Sequence, residues 1–364
     1  MLIGDIISVI EQYAPLPLQE DYDNCGLQVG SKSTPCSGVL LCVDVSPSVV
    51  DEAIERGCNL IVTHHPLLFK GLKRITGATL VEQVVIKAIA ANVAIYSSHT
   101  AMDNALGGVS WQMASRLSLT DVQTLERQTN RLLHLSVMVP NDHVDRVSLA
   151  LFEAGAGKLG NYDCCRFAVE GQGSFRALEG ADPFVGNLME VHNEPETRIS
   201  VVLPSWLKDR VEAALLEAHP YEVPAYEFVA MQNSSPTGSG VVGNLSEPVS
   251  VSELIAKIKQ AYGSPVVRCT AFDDNMMVRR VAMCGGAGAF LIKNAIASKA
   301  QVFVTSDSRY HDFIDNAANI LLIDIGHYES EQCTKDIFYR IITENFANFA
   351  VYYSETEQNP INYL

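Results

Sequence analysis

Three groups of histidines and carboxylates are the residues in this sequence best suited to chemistry. They are the pair His64-His65, the segment 97–103 with His99 and Asp103, and the pair His327 and Glu331. Two adjacent histidines before a proline can both point into one cleft, and His327 and Glu331 share one helix face at i,i+4 spacing. Imidazoles and carboxylates together are ligands for divalent metal ions. The metal ligands predicted from these groups are His64, His65, Asp103, His327 and Glu331.

Each group also has an ordinary structural explanation. A single histidine after a strand is often just hydrogen-bonded, and His/Glu pairs at i,i+4 spacing occur on solvated helix faces. Asp103 could cap the helix that follows Gly107-Gly108. All five residues nevertheless follow predicted strands, and ligands of open α/β sheets bind beyond the carboxyl ends of the strands. Their shared position favours a metal site over five unrelated explanations.

The predicted ligands bear on the number and identity of the metals. Five ligands are more than one closed tetrahedral zinc site needs, but too few to fill the coordination positions of two metals. Coordination positions therefore stay open for water or substrate. Without a thiolate the set suits Zn, Mn, Fe, Ni or Co rather than Cu(I) or an iron–sulfur cluster. Two ions roughly 3.5–4 Å apart could share a carboxylate and a water that becomes a hydroxide nucleophile at neutral pH.

Three further features have open interpretations. His99 is either a hydrogen-bond partner of a ligand or a substrate contact, or else a buried structural histidine. His311, at the end of TSDSRYH, is either a general acid or base or an ordinary residue at a helix start. The turn Gly285-Gly286-Ala287-Gly288 could cradle a phosphate, but Leu291 stands where the dinucleotide fingerprint needs a glycine, which favours a tight turn. For His192 and His219 we expect local structural roles.

The elements that must position these residues alternate between strands and helices, which predicts mostly parallel sheets with helices on their faces. Near the N-terminus the predicted strands are 39–43, 60–62 and 93–96. In the last third they are 278–284, 302–305 and 320–325, followed by one long helix over 328–344. The two ends of the chain therefore look like related α/β halves.

The middle of the chain reads as a self-contained unit. Its predicted order β-α-β-β-α-β is that of the ferredoxin-like fold. The turn-rich stretch 233–240 marks its exit. The predicted fold class is α/β, with two related α/β halves forming one metal-binding domain and an inserted α+β ferredoxin-like domain. The predicted boundaries are 1–131, 132–231 and 232–364.

Composition narrows the function classes and the compartment. With 42 acidic and 26 basic residues the net charge is −16, which argues against a nucleic-acid-binding protein. The nine cysteines form no CxxC pair, which indicates reduced thiols rather than disulfides. The first residues lack the basic and apolar regions of a signal peptide, and no apolar run is long enough to span a membrane. We therefore expect a cytoplasmic protein.

Several segments resemble one known family. THHPLLFKGLKRI, SSHTAMDNALGGVSWQMA and GHYESE are similar to signatures of the Nif-three-like dinuclear metal family, whose members are named GTP cyclohydrolase 1 type 2 homologs. YDNCGLQVG resembles the same family, with Tyr22 and Cys25 where Trp and an aliphatic residue are usual. Ser306 stands where a glycine is usual. Residues 155–186 resemble the insertion of long-form members, which is similar to PII and copper-tolerance-type ferredoxin-like domains.

The resemblance implies a function and an assembly. It implies two divalent ions per subunit, zinc first with Mn, Fe, Ni or Co as alternatives, and Glu331 between them. His65 and Asp103 would hold one ion, and His64 and His327 the other. It also implies a homohexamer, a trimer of dimers forming a toroid with its sites facing an inner cavity.

The activity implied is metal-dependent hydrolysis of a nucleotide-like or other heterocyclic small molecule, as in a GTP cyclohydrolase. The alternative is a non-catalytic regulatory protein whose insert senses a ligand or partner. A third possibility is metal storage or delivery.

Overall fold

The computed structural model describes all residues from 1 to 364. The chain forms two compact units, one made of residues 1–127 with 236–364 and one made of residues 128–235. The smaller unit begins and ends a few residues outside the range 132–231 expected from the sequence. None of the helices combines the length and the apolar character needed to cross a membrane.

The chain contains 15 strands and 12 α-helices. The strands are β1 (Gly26–Val29), β2 (Val39–Cys42), β3 (Leu60–Thr63), β4 (Ala94–Ser97), β5 (Thr120–Arg127), β6 (Leu132–Pro140), β7 (Phe167–Arg176), β8 (Val191–Pro204), β9 (Tyr226–Met231), β10 (Gly238–Ser250), β11 (Arg268–Cys269), β12 (Met277–Met283), β13 (Val302–Thr305), β14 (Leu321–Asp324) and β15 (Val351–Tyr353). The α-helices are α1 (Ile3–Tyr13), α2 (Pro47–Glu55), α3 (Leu80–Ala90), α4 (Thr100–Asn104), α5 (Val109–Arg116), α6 (Val144–Glu153), α7 (Lys208–Ala218), α8 (Val251–Tyr262), α9 (Ile292–Ala297), α10 (Tyr310–Asn316), α11 (His327–Glu331) and α12 (Thr334–Asn345).

The larger unit contains two mixed sheets. The first has the order β1-β4-β3-β2-β15, and the second the order β11-β14-β13-β12-β10-β5. Strands β2, β3 and β4 are parallel to one another, as are β12, β13 and β14. Every residue of β2, β3 and β4 is buried, as expected for strands covered on both faces. The predicted alternation of strands and helices is therefore confirmed at the centre of each sheet, while the antiparallel edges were not predicted.

Each sheet of the larger unit contains one strand from the opposite end of the sequence. Strand β15, near the C-terminus, pairs in parallel with β2 in the first sheet. Strand β5, from the N-terminal part, pairs with β10 in the second sheet. Each sheet therefore contains residues from both sides of the 128–235 segment, and neither half of the chain completes its sheet alone.

The smaller unit follows the order β6-α6-β7-β8-α7-β9. Its four strands form an antiparallel sheet in the order β7-β8-β6-β9. Alternate residues of β6, Leu135, Val137 and Val139, pack with Val147 of α6 and Leu215 of α7 in one buried cluster. The helices therefore cover one face of the sheet, and the residues between these core positions lie on the other face.

The prediction of one long helix over 328–344 is wrong, because the structure has two helices there, α11 and α12. The hydroxyl of Ser330 donates to the carbonyl of His327 at 2.8 Å, and that of Thr334 donates to the carbonyl of Glu331 at 2.7 Å. Such side-chain bonds to the backbone compete with the helical ladder. The break leaves His327 and Glu331 on a short helix of their own.

A buried carboxylate holds the C-terminal segment onto the first sheet. Glu52 of α2 is 5% exposed and accepts hydrogen bonds from the Ser354 and Thr356 hydroxyls and from the Glu355 and Thr356 amides. Burial alone would raise the pKa of Glu52, but these donors outweigh it and lower the pKa to about 2. The ionised form is therefore the one that the fold binds.

We expect Glu52→Gln to lower the free energy of unfolding by about 2 kcal/mol, since the neutral amide turns a donor toward groups that also donate. Urea unfolding measures this, with Glu55→Gln on the exposed side of the same helix as the control. In the wild type, the contribution of Glu52 to the free energy of unfolding should be complete above the ordinary pKa of 4.5 and lost as the pH falls toward 2. Equal urea midpoints for the two variants would contradict this role.

Candidate metal centre

Each predicted ligand follows a strand of the larger unit. His64 and His65 come directly after β3, and Asp103 lies on α4, which begins soon after β4 ends. His327 and Glu331 lie on α11, which follows β14 of the second sheet. Strand ends from both sheets therefore contribute to one cluster.

The five predicted side chains meet around the buried carboxylate of Glu331, which is 3% exposed. Its Oε2 lies 2.8 Å from Nε2 of His65 and 2.9 Å from Nε2 of His327. Its Oε1 lies 3.7 Å from Nε2 of His64, which is itself 3.7 Å from Oδ1 of Asp103. The structure thus brings together residues more than 260 positions apart in sequence.

The two oxygens of Glu331 divide the cluster into two sets of donors. His65 and His327 approach Oε2, while His64 approaches Oε1 and Asp103. The Nε2 atoms of His65 and His327 are only 3.2 Å apart. These distances group the side chains differently from the pairing that the resemblance implies, of His65 with Asp103 and of His64 with His327.

Two atoms of the cluster test whether a metal ion fits. Nε2 of His64 and Oδ1 of Asp103 are buried and have no hydrogen-bond partner. A buried polar atom left unpaired costs roughly 1–3 kcal/mol. Both atoms are metal-ligand types, and neither has a protein donor or acceptor to satisfy it. The donor set and its unpaired atoms fit a divalent cation.

The far nitrogen of each ligand histidine is held by an oxygen. Nδ1 of His65 lies 2.9 Å from Asp44, Nδ1 of His327 lies 2.6 Å from Asp307, and Nδ1 of His64 lies 3.1 Å from the Ser98 carbonyl. Such contacts fix the tautomer, so that Nε2 faces the cluster. Sequence reasoning missed Asp44 and Asp307, although both follow strands, β2 and β13, by two residues.

Protons balance the charges of the metal-free cluster. Burial alone would lower the pKa of His65, but hydrogen bonds to Asp44 and Glu331 outweigh it and raise the pKa to about 10. For His327 burial is likewise outweighed by Glu331, and the pKa rises to about 9. Burial opposes ionisation of Glu331, yet the surrounding histidines hold its pKa well below the usual range. The geometry therefore favours the ionised form of Glu331 and the protonated forms of His65 and His327 beside it.

A glycine makes room for the central carboxylate. Gly286 has a φ of +62°, and a Cβ at this position would lie 2.2 Å from Oε1 of Glu331. Its amide donates to the Ser330 hydroxyl at 2.9 Å. The turn at residues 285–288 therefore has a packing role beside the ligands.

His99 lies at the edge of the cluster. Its ring centroid is 5.2 Å from that of His64, and its Nδ1 lies 2.9 Å from the fully buried carboxylate of Asp23. Asp23 also accepts hydrogen bonds from the amide and hydroxyl of Thr100. Burial alone would lower the pKa of His99, but Asp23 and Asp103 outweigh it and raise the pKa. The nitrogens of His64, His65 and His99 are also close enough to share a metal ion.

His311 does not join this cluster. It lies exposed on the first turn of α10, its ring contacts Tyr310, and it is not among the residues that line the cleft. Its role as an acid or base stays a prediction.

Asp103, His327 and Glu331 of the cluster line an open cleft of about 510 Å³ within the larger unit, together with His99. Tyr22 and Phe290 supply exposed aromatic faces to its walls, and Glu20 and Glu126 supply carboxylates. Sequence reasoning found no aromatic reader for a heterocycle. The structure supplies two aromatic candidates, Phe290 and Tyr22, the latter from the segment YDNCGLQVG.

The chain is similar over nearly its whole length to proteins of one family. The sequence model of the family described as Duf34/NIF3 (NGG1p interacting factor 3) matches residues 1–360. The chain is 34% identical to the "GTP cyclohydrolase 1 type 2 homolog" of Halalkalibacterium halodurans, over 99% of this chain and 98% of that protein. It is 35% identical to the Bacillus subtilis protein of the same name, with the same coverage.

A solved structure is similar over the same length. The Bacillus cereus protein related to NIF3 matches with a TM-score of 0.88 and 32% identity, covering 100% of this chain and 99% of the other. On the family match and these full-length relatives, the chain belongs to the Duf34/NIF3 family.

Proposed function

We propose that this protein is a metal-dependent hydrolase that acts on a nucleotide-like or other heterocyclic small molecule. The observation that carries the proposal is the buried cluster around Glu331, in which His64 Nε2 and Asp103 Oδ1 have no protein partner. A cluster with unpaired ligand atoms beside an open cleft is suited to ions that also contact a substrate. The name GTP cyclohydrolase 1 type 2 homolog, carried by the relatives, supports this class of reaction.

Two sets of residues would hold the ions. His65 and His327 with one oxygen of Glu331 form the first set, and His64 and Asp103 with the other oxygen form the second. Imidazole and carboxylate donors suit zinc first, with Mn, Fe, Ni or Co as alternatives. When bound, such ions supply a Lewis acid and lower the pKa of a coordinated water.

The remaining cleft residues would bind the substrate and handle protons. Asp23 orients His99 and favours its protonated form, so His99 can donate a proton or hydrogen bond to the substrate. Tyr22 and Phe290 present faces on which a planar ring could stack. Glu20 and Glu126 could accept hydrogen bonds from ring amino groups.

The assembly and the compartment are further parts of the proposal. We infer that the 128–235 unit is a ferredoxin-like insert, because its sheet order β7-β8-β6-β9 and its two helices on one face suit that fold. We also infer a homohexameric toroid, on the resemblance to the family, which light scattering of the full chain tests. The nine free cysteines suit the reducing cytoplasm.

A turnover screen tests the proposed activity. The zinc-loaded full chain is assayed against nucleotides and phosphoesters, and we expect hydrolysis of at least one heterocyclic substrate that disappears after chelation and returns with zinc. His64→Ala should abolish turnover, whereas His192→Ala, in the other unit, should leave it unchanged. Turnover that survives complete metal removal would contradict the proposal. Tight binding without turnover would instead support the non-catalytic regulatory alternative.

A further inference from the structure

The smaller unit has a cavity of its own, of about 400 Å³, on the sheet face away from the helices. Met138 lies on that face, because it alternates with the core residues Val137 and Val139. The walls come from Phe175 on β7, from Phe184 in the loop after β7, and from Tyr221 in the turn after α7.

Aromatic rings enclose this cavity. The centroid of Tyr221 lies 6.1 Å from that of Phe175 and 6.2 Å from that of Phe184. Phe184 is 51% exposed although it lines the cavity, so part of its ring is open to solvent. Aromatic faces carry negative quadrupole potential and attract cations placed over them.

A buried carboxylate faces the same space. Glu196 of β8 is 9% exposed, lines the cavity, and has a glycine beside it. A Cβ at Gly173 would lie 2.1 Å from Oε2 of Glu196, so any larger residue at 173 would displace the carboxylate. The absence of a side chain at position 173 therefore gives Glu196 its place in the cavity wall.

The polar side chains of the cavity are three carboxylates, the phenol of Tyr221 and the hydroxyl of Ser174. The buried Tyr221 hydroxyl lies beside Glu196 but makes no hydrogen bond of ordinary length, and burial first, then the Glu196 carboxylate, raises its pKa and keeps the phenol protonated. The other ionisable residues in the lining are Asp182 and Glu222, and the lining contains no Lys, Arg or His. A phosphate or carboxylate ligand would therefore meet negative charge without a cation to offset it.

We propose that this cavity binds a small organic cation with a planar body, an ammonium or amidinium whose charge faces Glu196 and whose body packs against the rings of Phe175, Phe184 and Tyr221. The volume suits a small molecule, since ligand pockets start at about 300 Å³. The bound cation would supply the charge partner that Glu196 lacks and would lie beside the Tyr221 hydroxyl. This site shares no residue with the metal cluster or with the cleft beside it.

Saturation-transfer NMR on the zinc-loaded full chain tests the charge preference with three probes of one shape. Benzamidinium should bind saturably, about tenfold more tightly than neutral benzamide, and benzoate should not bind, because only the cation pairs with the buried carboxylate. Glu196→Gln should weaken benzamidinium binding by about tenfold. Glu170→Gln, on the exposed face of β7, is the matched control and should leave binding unchanged.

A second variant keeps the test decisive if Glu196→Gln does not fold. Val223 is 81% exposed in the lining, so Val223→Arg adds a positive charge at the rim without disturbing the core. It should also weaken benzamidinium binding. Equal binding of all three probes, no binding of benzamidinium, or unchanged binding in both Glu196→Gln and Val223→Arg would overturn the proposal.

Discussion

Glu331→Gln is expected to remove most of the bound zinc, with an affinity loss of at least about 100-fold, because even the outer partners of metal ligands are worth 10–100-fold. Glu331 is the one side chain whose two oxygens reach both donor sets. The amide keeps the size of the side chain but removes its charge and one of its two acceptor oxygens. The loss should therefore affect both sets at once.

Metal content per chain after dialysis against buffered zinc measures this effect, with circular dichroism to confirm that the variant is folded. Glu344→Gln, exposed on α12, is the control and should bind zinc like the wild type. A folded Glu331→Gln variant with full zinc content would show that the carboxylate does not bridge the two donor sets.

The second large effect is the pH dependence of zinc binding. In the metal-free protein the pKa of His65 is about 10 and that of His327 about 9, so both carry protons at pH 7. Zinc competes with those protons for the same nitrogens, and affinity should rise by roughly tenfold per released proton per pH unit. For two histidines this is roughly 100-fold per unit between pH 7 and 8.5.

Competition with a chromophoric chelator of known pH dependence measures the slope. The metal-free protein should show the opposite trend in stability. Its folded-state pKa values lie above the ordinary 6.5, so the contribution of the protonated histidines is complete below that pH and is lost as the pH rises through 9 to 10. Zinc affinity that does not change with pH would contradict this protonation state.

Much of the site could be predicted because its signals are local. His64-His65 stands directly after a strand, and His327 and Glu331 repeat at helical spacing, so both patterns are visible within a few residues. The grouping of the donors could not be predicted, because it depends on which oxygen of Glu331 each histidine approaches. Only the three-dimensional positions of two sheets determine that.

Asp44 and Asp307 were missed for a different reason. Asp44 and Asp307 act through histidines 21 and 20 positions away, and an isolated aspartate after a strand carries no motif. The edge strands were missed for a similar reason, since β15 pairs with β2 across most of the chain. The break between α11 and α12 was missed because Ser330 and Thr334 are unremarkable in a helical stretch until their hydroxyls bond to the backbone.

The pairing of β5 with β10 and of β15 with β2 has a consequence for folding during synthesis. As the chain leaves the ribosome, one edge of β2 stays unpaired until residues 351–353 have been synthesised. Strand β5 likewise has no partner strand until β10 has been synthesised. The loops closed by these pairings are long, and such contacts form late in folding. His64 and His65 therefore exist for most of translation without Glu331, and a nascent chain cannot capture metal prematurely at the complete site. Metal binding by all five predicted ligands would therefore require that residue 331 has been synthesised and that both sheets have formed.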